Sequence, residues 1–305
     1  MNAYSLESFR PERRLQADPA RPSFVSGAAF SDRMKLHRTI FISDTHLGTR
    51  GCKAAMLADF LANNDCRTLY LVGDILDGWQ VKNWYWDEAH RRVIDEILFK
   101  AATGTRVIYV AGNHDEALRR YAGLILAGVE LHREAIHETA DGRRLLVIHG
   151  DQFDGIVNYA KWLAHLGDTA YSIALHANDM LHAVRKCFGL PYWSLSQYLK
   201  TKVKNAVQFI SNFEQTVVRA AQAAGADGVV CGHIHHPAIR TFGDILYCND
   251  GDWVENCSAL VENGLGQLEL MYWTQSADDN SAPERNLPAL AAVVRQRTLE
   301  PALST

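Results

Sequence analysis

The sequence has no cysteine pairs. Its six cysteines, Cys52, Cys66, Cys187, Cys231, Cys248 and Cys257, are scattered through 305 residues, and none forms a C-x-x-C. That argues against an extracellular disulfide scaffold and for a reduced, cytoplasmic chain. No segment approaches the roughly 20 apolar residues that span a bilayer, so any membrane contact is expected to be peripheral. The amino terminus is polar and charged through Arg14 and lacks the apolar stretch of a secretory signal. There is no excess of basic charge either. The net charge is −4, which leaves no electrostatic footprint for nucleic acid. A chain of this length buries enough apolar surface to fold without staples, as one large α/β domain or two small ones.

What the sequence does have is a repeated way of ending a strand. The run Leu69-Tyr70-Leu71-Val72 is apolar without alternation, as in a strand covered on both faces, and it stops at Gly73-Asp74. Four other runs stop in the same manner. Residues 38–43 lead into Asp44-Thr45-His46, and 106–111 into Gly112-Asn113-His114-Asp115. Residues 145–148 lead into His149-Gly150-Asp151, and 227–231 into Gly232-His233-Ile234-His235. Asp, Asn and His are oxygen and imidazole donors suited to divalent metals. In an extended chain, Asp-x-His and His-x-His put both donors on one side. A lone Asp-x-His or a lone His-x-His is a weak signal. Five strand ends carrying seven candidate ligands point to one shared metal centre at the carboxyl edge of a sheet, where α/β folds bind ligands.

These motifs, in this order over residues 38–255, resemble the calcineurin-like metallophosphoesterases. Tyr70-Leu71-Val72-Gly73-Asp74, Asp77-Gly78-Trp79 and Gly251-Asp252-Trp253 are most similar to the UDP-2,3-diacylglucosamine pyrophosphatase branch of lipid A synthesis. One position departs: His114 stands where characterised members of that branch carry Arg. The resemblance implies a two-sheet α/β sandwich flanked by helices. It also implies a dinuclear site, with Asp44, His46 and His235 on one ion, Asn113, His149 and His233 on the other, and Asp74 bridging. Oxygen and nitrogen donors without thiolate suit Mn²⁺, with Fe or Zn²⁺ as alternatives. Paired ions of this kind acidify water for attack on phosphorus and neutralise charge developing on the phosphoryl oxygens. His114 is the candidate catalytic non-ligand, protonating the leaving oxygen or stabilising the transition state.

The rest of the chain is read around this centre. Residues 1–36, with Pro11, Pro19, Pro22 and several Arg, are expected to form a loosely ordered arm. Residues 37–273 form the catalytic domain, and 274–305 a polar tail. Helices are expected over 53–61, 87–102 and 116–127. Strands are expected at 240–242, 245–249, 258–262 and 267–272, forming a second, partly antiparallel sheet. Residues 152–212 read as an inserted helical cap that mixes aromatics such as Trp162 with cations such as Lys200 and Lys204. Such a cap suits acyl chains, phosphates or anionic headgroups at the inner membrane. A helical hairpin packed on the core is the plainer alternative. Trp79, just past Asp74, is either a substrate wall or a plug under a loop. The activity expected is hydrolysis of a pyrophosphate or phosphodiester, in the first instance UDP-2,3-diacylglucosamine. Another lipid, nucleotide or sugar phosphate is the second reading, and a non-catalytic metal-binding module the third.

Overall fold

The computed structural model describes residues 35–79, 84–156 and 195–274. Strand Lys35–Ile42 (β1) is followed by helix Ala54–Asn63 (α1) and strand Asn64–Val72 (β2). Helix Glu88–Thr103 (α2) and strand Arg106–Val110 (β3) come next. β1, β2 and β3 are mutually parallel, so the expected βαβ crossover is present. α2 is capped at both ends. The Asp87 side chain accepts from the His90 backbone N–H, and Gly104 closes the helix in a left-handed conformation.

The expected helix over 116–127 is not formed. A short 3₁₀ turn spans Glu116–Tyr121. Strands Ile125–Leu126 (β4) and Val129–His132 (β5) then make a hairpin on β3. Gly123 and Gly128 explain the difference: each has a positive φ that interrupts a helix. The apolar run between them is left to pair as an edge strand.

Strands Ala135–Glu138 (β6), Arg144–Val147 (β7), Gly228–Cys231 (β8), Ala238–Phe242 (β9) and Ile245–Asn249 (β10) form a second sheet, in the order β6-β7-β8-β10-β9. β7, β8 and β10 are parallel to one another. Strands Ser258–Glu262 (β11) and Leu268–Tyr272 (β12) exist where expected but belong to the first sheet, β11 antiparallel to β1 and β12 antiparallel to β11. The late strands therefore do not make a sheet of their own, and the second sheet takes two of the ligand-bearing strands, β7 and β8.

The unalternating strands follow from this layering. Ile40, Ile42, Leu69 and Leu71 face α1 and α2, together with Trp253. Phe41, Tyr70, Val72, Ile108, Val147 and Val230 fill the space between the sheets. Both faces of each central strand are dry, so no polar position is needed along it. Helix Leu195–Ala223 (α3) covers the outer face of the second sheet through Phe213, Val217 and Ala221. The last part of the stretch expected as a cap, 195–212, is thus part of α3, which carries Lys200 and Lys204. Trp162 and the rest of 157–194 lie outside the described residues, as do the tail from 275 and the first 34 residues.

Candidate metal centre

The ends of β1, β2, β3, β7 and β8 converge at one edge of the sandwich. His235 Nε2 lies 3.1 Å from Asp44 Oδ1, and His46 Nε2 lies 3.9 Å from the same oxygen. His149 Nε2 lies 3.3 Å from Asp74 Oδ2. Among the described residues, Asp44, His46 and His235 form one group of donor atoms within 4.8 Å of one another, Asp74, His149 and His233 a second, and His46, Asp74 and His114 a third that shares members with both. Asn113, in the turn after β3, is buried, with neither atom of its carboxamide hydrogen-bonded.

Several features suit these groups to divalent cations. The His149 Nδ1–H donates to the Val72 carbonyl at 2.9 Å, which orients the ring with Nε2 toward Asp74. That buried Nε2 has no hydrogen-bond partner. A carboxamide and an imidazole nitrogen left unsatisfied in a dry interior are costly unless something completes them. The backbone is held in an unusual shape as well. Seven non-glycine residues among those described have positive φ, and five of them are Asp44, His46, Asp74, His233 and His235. Strain of this kind concentrates at functional sites. Close packing adds to it: a Cβ on Gly112 would lie 2.3 Å from Asp74 Oδ1, and one on Gly232 would lie 2.4 Å from Asp44 Oδ2.

The charges are mutually dependent. Burial opposes ionisation of Asp44, but His235, by charge and then by hydrogen bond, overrides it and holds the carboxyl well below its ordinary range. Asp74 is likewise penalised by burial yet brought down to about 2 by His149. Burial lowers His149, but Asp74 outweighs this and raises the imidazole to about 10.

Four residues outside the expected set support the site. Asp77 Oδ2 lies 3.2 Å from His114 Nδ1 and 3.6 Å from His46 Nδ1, orienting both rings. Asp115 accepts from the backbone N–H of Gly112 at 2.6 Å and of Ile75 at 2.8 Å, and from the Tyr109 hydroxyl, so it ties the β2 and β3 turns together. Ser43 Oγ lies 2.7 Å from Asp44 Oδ2 and 2.6 Å from Asp250 Oδ1. A hydroxyl carries one proton and cannot serve both contacts. Asp250 is fully buried, and burial pushes its carboxyl well above the usual range. Ser43 thus joins the turn after β1 to the strand end after β10. Asp250 follows a strand end, β10, and the pattern that marked the other motifs would have found it.

Of the remaining sequence candidates, His114 presents Nε2 3.9 Å from Asp74 Oδ2 and stacks on Trp79. Trp79 is 63% exposed, so it is not a plug under a loop. Among the described residues no helix is long and apolar enough to cross a membrane.

Strand ends that gather overlapping Asp/His groups define a candidate metal-binding α/β sandwich. A sequence profile of the calcineurin-like phosphoesterases matches residues 37–237, and the chain belongs to that family. It is 32% identical over 228 residues to the UDP-2,3-diacylglucosamine hydrolase of Ralstonia nicotianae (strain ATCC BAA-1114 / GMI1000), covering 72% of this chain and 81% of that protein. The enzyme of the same name from Cellvibrio japonicus (strain Ueda107) is 27% identical over 205 residues, covering 66% and 82%. That of Stenotrophomonas maltophilia (strain K279a) is 27% identical over 248 residues, covering 76% and 98%.

Proposed function

We propose that this chain is a dinuclear metal-dependent hydrolase that cleaves the pyrophosphate of UDP-2,3-diacylglucosamine to UMP and 2,3-diacylglucosamine 1-phosphate. The observation that carries the reading is the pair of Asp/His groups at one edge, with Asp74 in contact distance of both His149 and His114. Asp44, His46 and His235 would hold one ion and Asn113, His149 and His233 the other, with Asp74 shared. The donor set favours Mn²⁺. Divalent ions bound there would acidify water and stabilise charge on the phosphoryl oxygens.

The chain's own residues supply the rest. His114, with Nδ1 3.2 Å from Asp77 and Nε2 3.9 Å from Asp74, would act on the leaving oxygen as proton donor or as a stabiliser of the transition state. Arg119 braces the site. Its Nη2 meets both oxygens of Asp151 at 2.7 Å and the Ala111 carbonyl at 3.1 Å, joining the turn that carries His114 to the turn that carries His149. Trp162, Lys200 and Lys204 are proposed to contact acyl chain and phosphate, with peripheral docking on the inner membrane.

Turnover of UDP-2,3-diacylglucosamine compared with simple phosphodiesters, with Mn²⁺ present, tests the reading. A marked preference for the lipid nucleotide supports it. His114, in place of Arg, favours a second reading in which the same centre hydrolyses another lipid or nucleotide phosphodiester. Equal turnover across the panel selects that one.

A further inference from the structure

Among the described residues the two sheets end in four edge strands, and three of these carry an exposed charge. Glu138 lies on β6, Arg240 on β9 and Glu269 on β12. A charge on an edge discourages pairing with another chain. The fourth edge, β4, carries none, and residues 121–129 hold no charged side chain at all. They are nevertheless in water: Tyr121 is 44% exposed, Leu124 51%, Ile125 67% and Leu126 49%. Ile125 and Leu126 are successive residues of a strand and point to opposite faces, so the apolar strip is uncovered on both. The backbone of this edge is open as well. The Leu131 N–H donates to the Leu124 carbonyl at 2.9 Å, and Ile125 is in register with Glu130. The alternation of an antiparallel ladder therefore turns the N–H and C=O of Ile125 away from β5.

We infer that β4 is where a second copy of this chain docks, the two β4 edges pairing antiparallel about a twofold axis at Ile125. Each Ile125 N–H then meets the other copy's Ile125 carbonyl, and Leu124 of one copy lies beside Leu126 of the other. The two first sheets become one, and the contact is closed and self-complementary. The area suits such a contact. The four side chains leave roughly 400 Å² of apolar surface in water, close to the apolar share of one side of a standard interface of about 800 Å² per partner. A lipid surface suits the strip less, because a strand edge immersed in acyl chains leaves its backbone groups without partners.

Sedimentation of the full chain at micromolar concentration tests this, and a dimer is expected. Ile125→Lys gives β4 the charge that the other edges have. It is expected to raise the dimer dissociation constant about tenfold or more, with the circular dichroism spectrum and the turnover per chain unchanged. Leu265→Lys, at a 74% exposed position in the β11–β12 turn, is expected to leave the dimer intact. Should Ile125→Lys disturb the hairpin, Ile125→Cys decides the matter. Opposed cysteines about 5.5 Å apart at Cα are within disulfide reach, so mild oxidation is expected to link two copies, while Leu265→Cys links none. A parent that sediments as a monomer overturns the inference, as does a dimer that survives Ile125→Lys or an Ile125→Cys variant that does not link. A monomer that binds anionic vesicles, and releases them on Ile125→Lys, overturns it too and assigns the strip to lipid. Each result stands whether or not the proposed hydrolysis is correct.

Discussion

Two buried polar clusters share the interior between the sheets, and they are completed in different ways. Deeper along the strands, Glu262 of β11 accepts from Thr39 at 2.7 Å, from His137 at 2.8 Å and from the Ala140 backbone at 2.8 Å. His137 sits on β6, so this cluster links one sheet to the other. The Phe41 and Tyr70 rings pack edge-on against His137. No member of this cluster has a positive φ. At the carboxyl edge, five of the candidate ligands do, and the Asn113 carboxamide and His149 Nε2 find no hydrogen-bond partner. Both clusters take charge out of water. The protein completes the first by itself and leaves the second to be completed by something that binds. An unfinished buried polar group marks a site where strained backbone and ligand-type donors gather with it, since the Tyr247 hydroxyl and the Trp253 Nε1 are also unpartnered among the described residues.

The sharpest break of this comparison is Asp74→Asn. Activity is expected to fall about 10³-fold or more and bound metal to drop, with the thermal midpoint at or above that of the parent. Steady-state kinetics, metal analysis and a melting curve on the same preparation check it. His114→Ala comes next. Metal content should be unchanged and activity about 10²-fold lower, as for loss of a proton donor.

Glu262→Ala tests the other cluster. It leaves His137 without its carboxylate and should cost about 3 kcal/mol in denaturant unfolding, while activity per folded molecule is retained. Loss of activity with stability intact would erase the contrast between the clusters. Metal affinity sharpens the comparison through pH. His149 is raised to about 10 by Asp74 and must lose its proton to act as a ligand, so binding releases a proton. Affinity should weaken about tenfold for each unit the pH falls across the neutral range, read by titration calorimetry in two buffers.

The smallest effect concerns Glu262 in acid. Burial raises its carboxyl, but the His137 and Thr39 bonds prevail and hold it below the ordinary value. A carboxyl lowered in the folded state stabilises fully above its unfolded value. That contribution fades as the pH drops through the folded one. Glu262→Gln should therefore flatten the acid limb of a stability–pH curve relative to the parent.

The seven candidate ligands were legible because each lies in a short motif immediately after an apolar strand, and strand direction carries all of them to one edge. The helices α1 and α2 and strands β9 to β12 were legible from periodicity and turn residues. Sheet membership was not. Nothing in the composition of β11 says whether it pairs with β1 or β10, because hydrophobic pattern specifies a buried face and not a neighbour. The segment after Asp115 misled because its apolar spacing fits a helix, and the glycines at 123 and 128 decide otherwise. Asp77 escaped notice for a different reason. Its role arises only when Asp77 lies between His46 and His114, rings brought together by the fold. Asp115 is similar: its contacts come from the turns after β2 and β3 and from Tyr109 within β3.

The central claim is that the carboxyl-edge cluster is completed by two divalent ions. Anomalous diffraction from crystals grown with Mn²⁺ tests it most directly. The account predicts two neighbouring peaks, one among Asp44, His46 and His235, the other among Asn113, His149 and His233, with Asp74 touching both. Peaks elsewhere, or none here at saturating Mn²⁺, would contradict it.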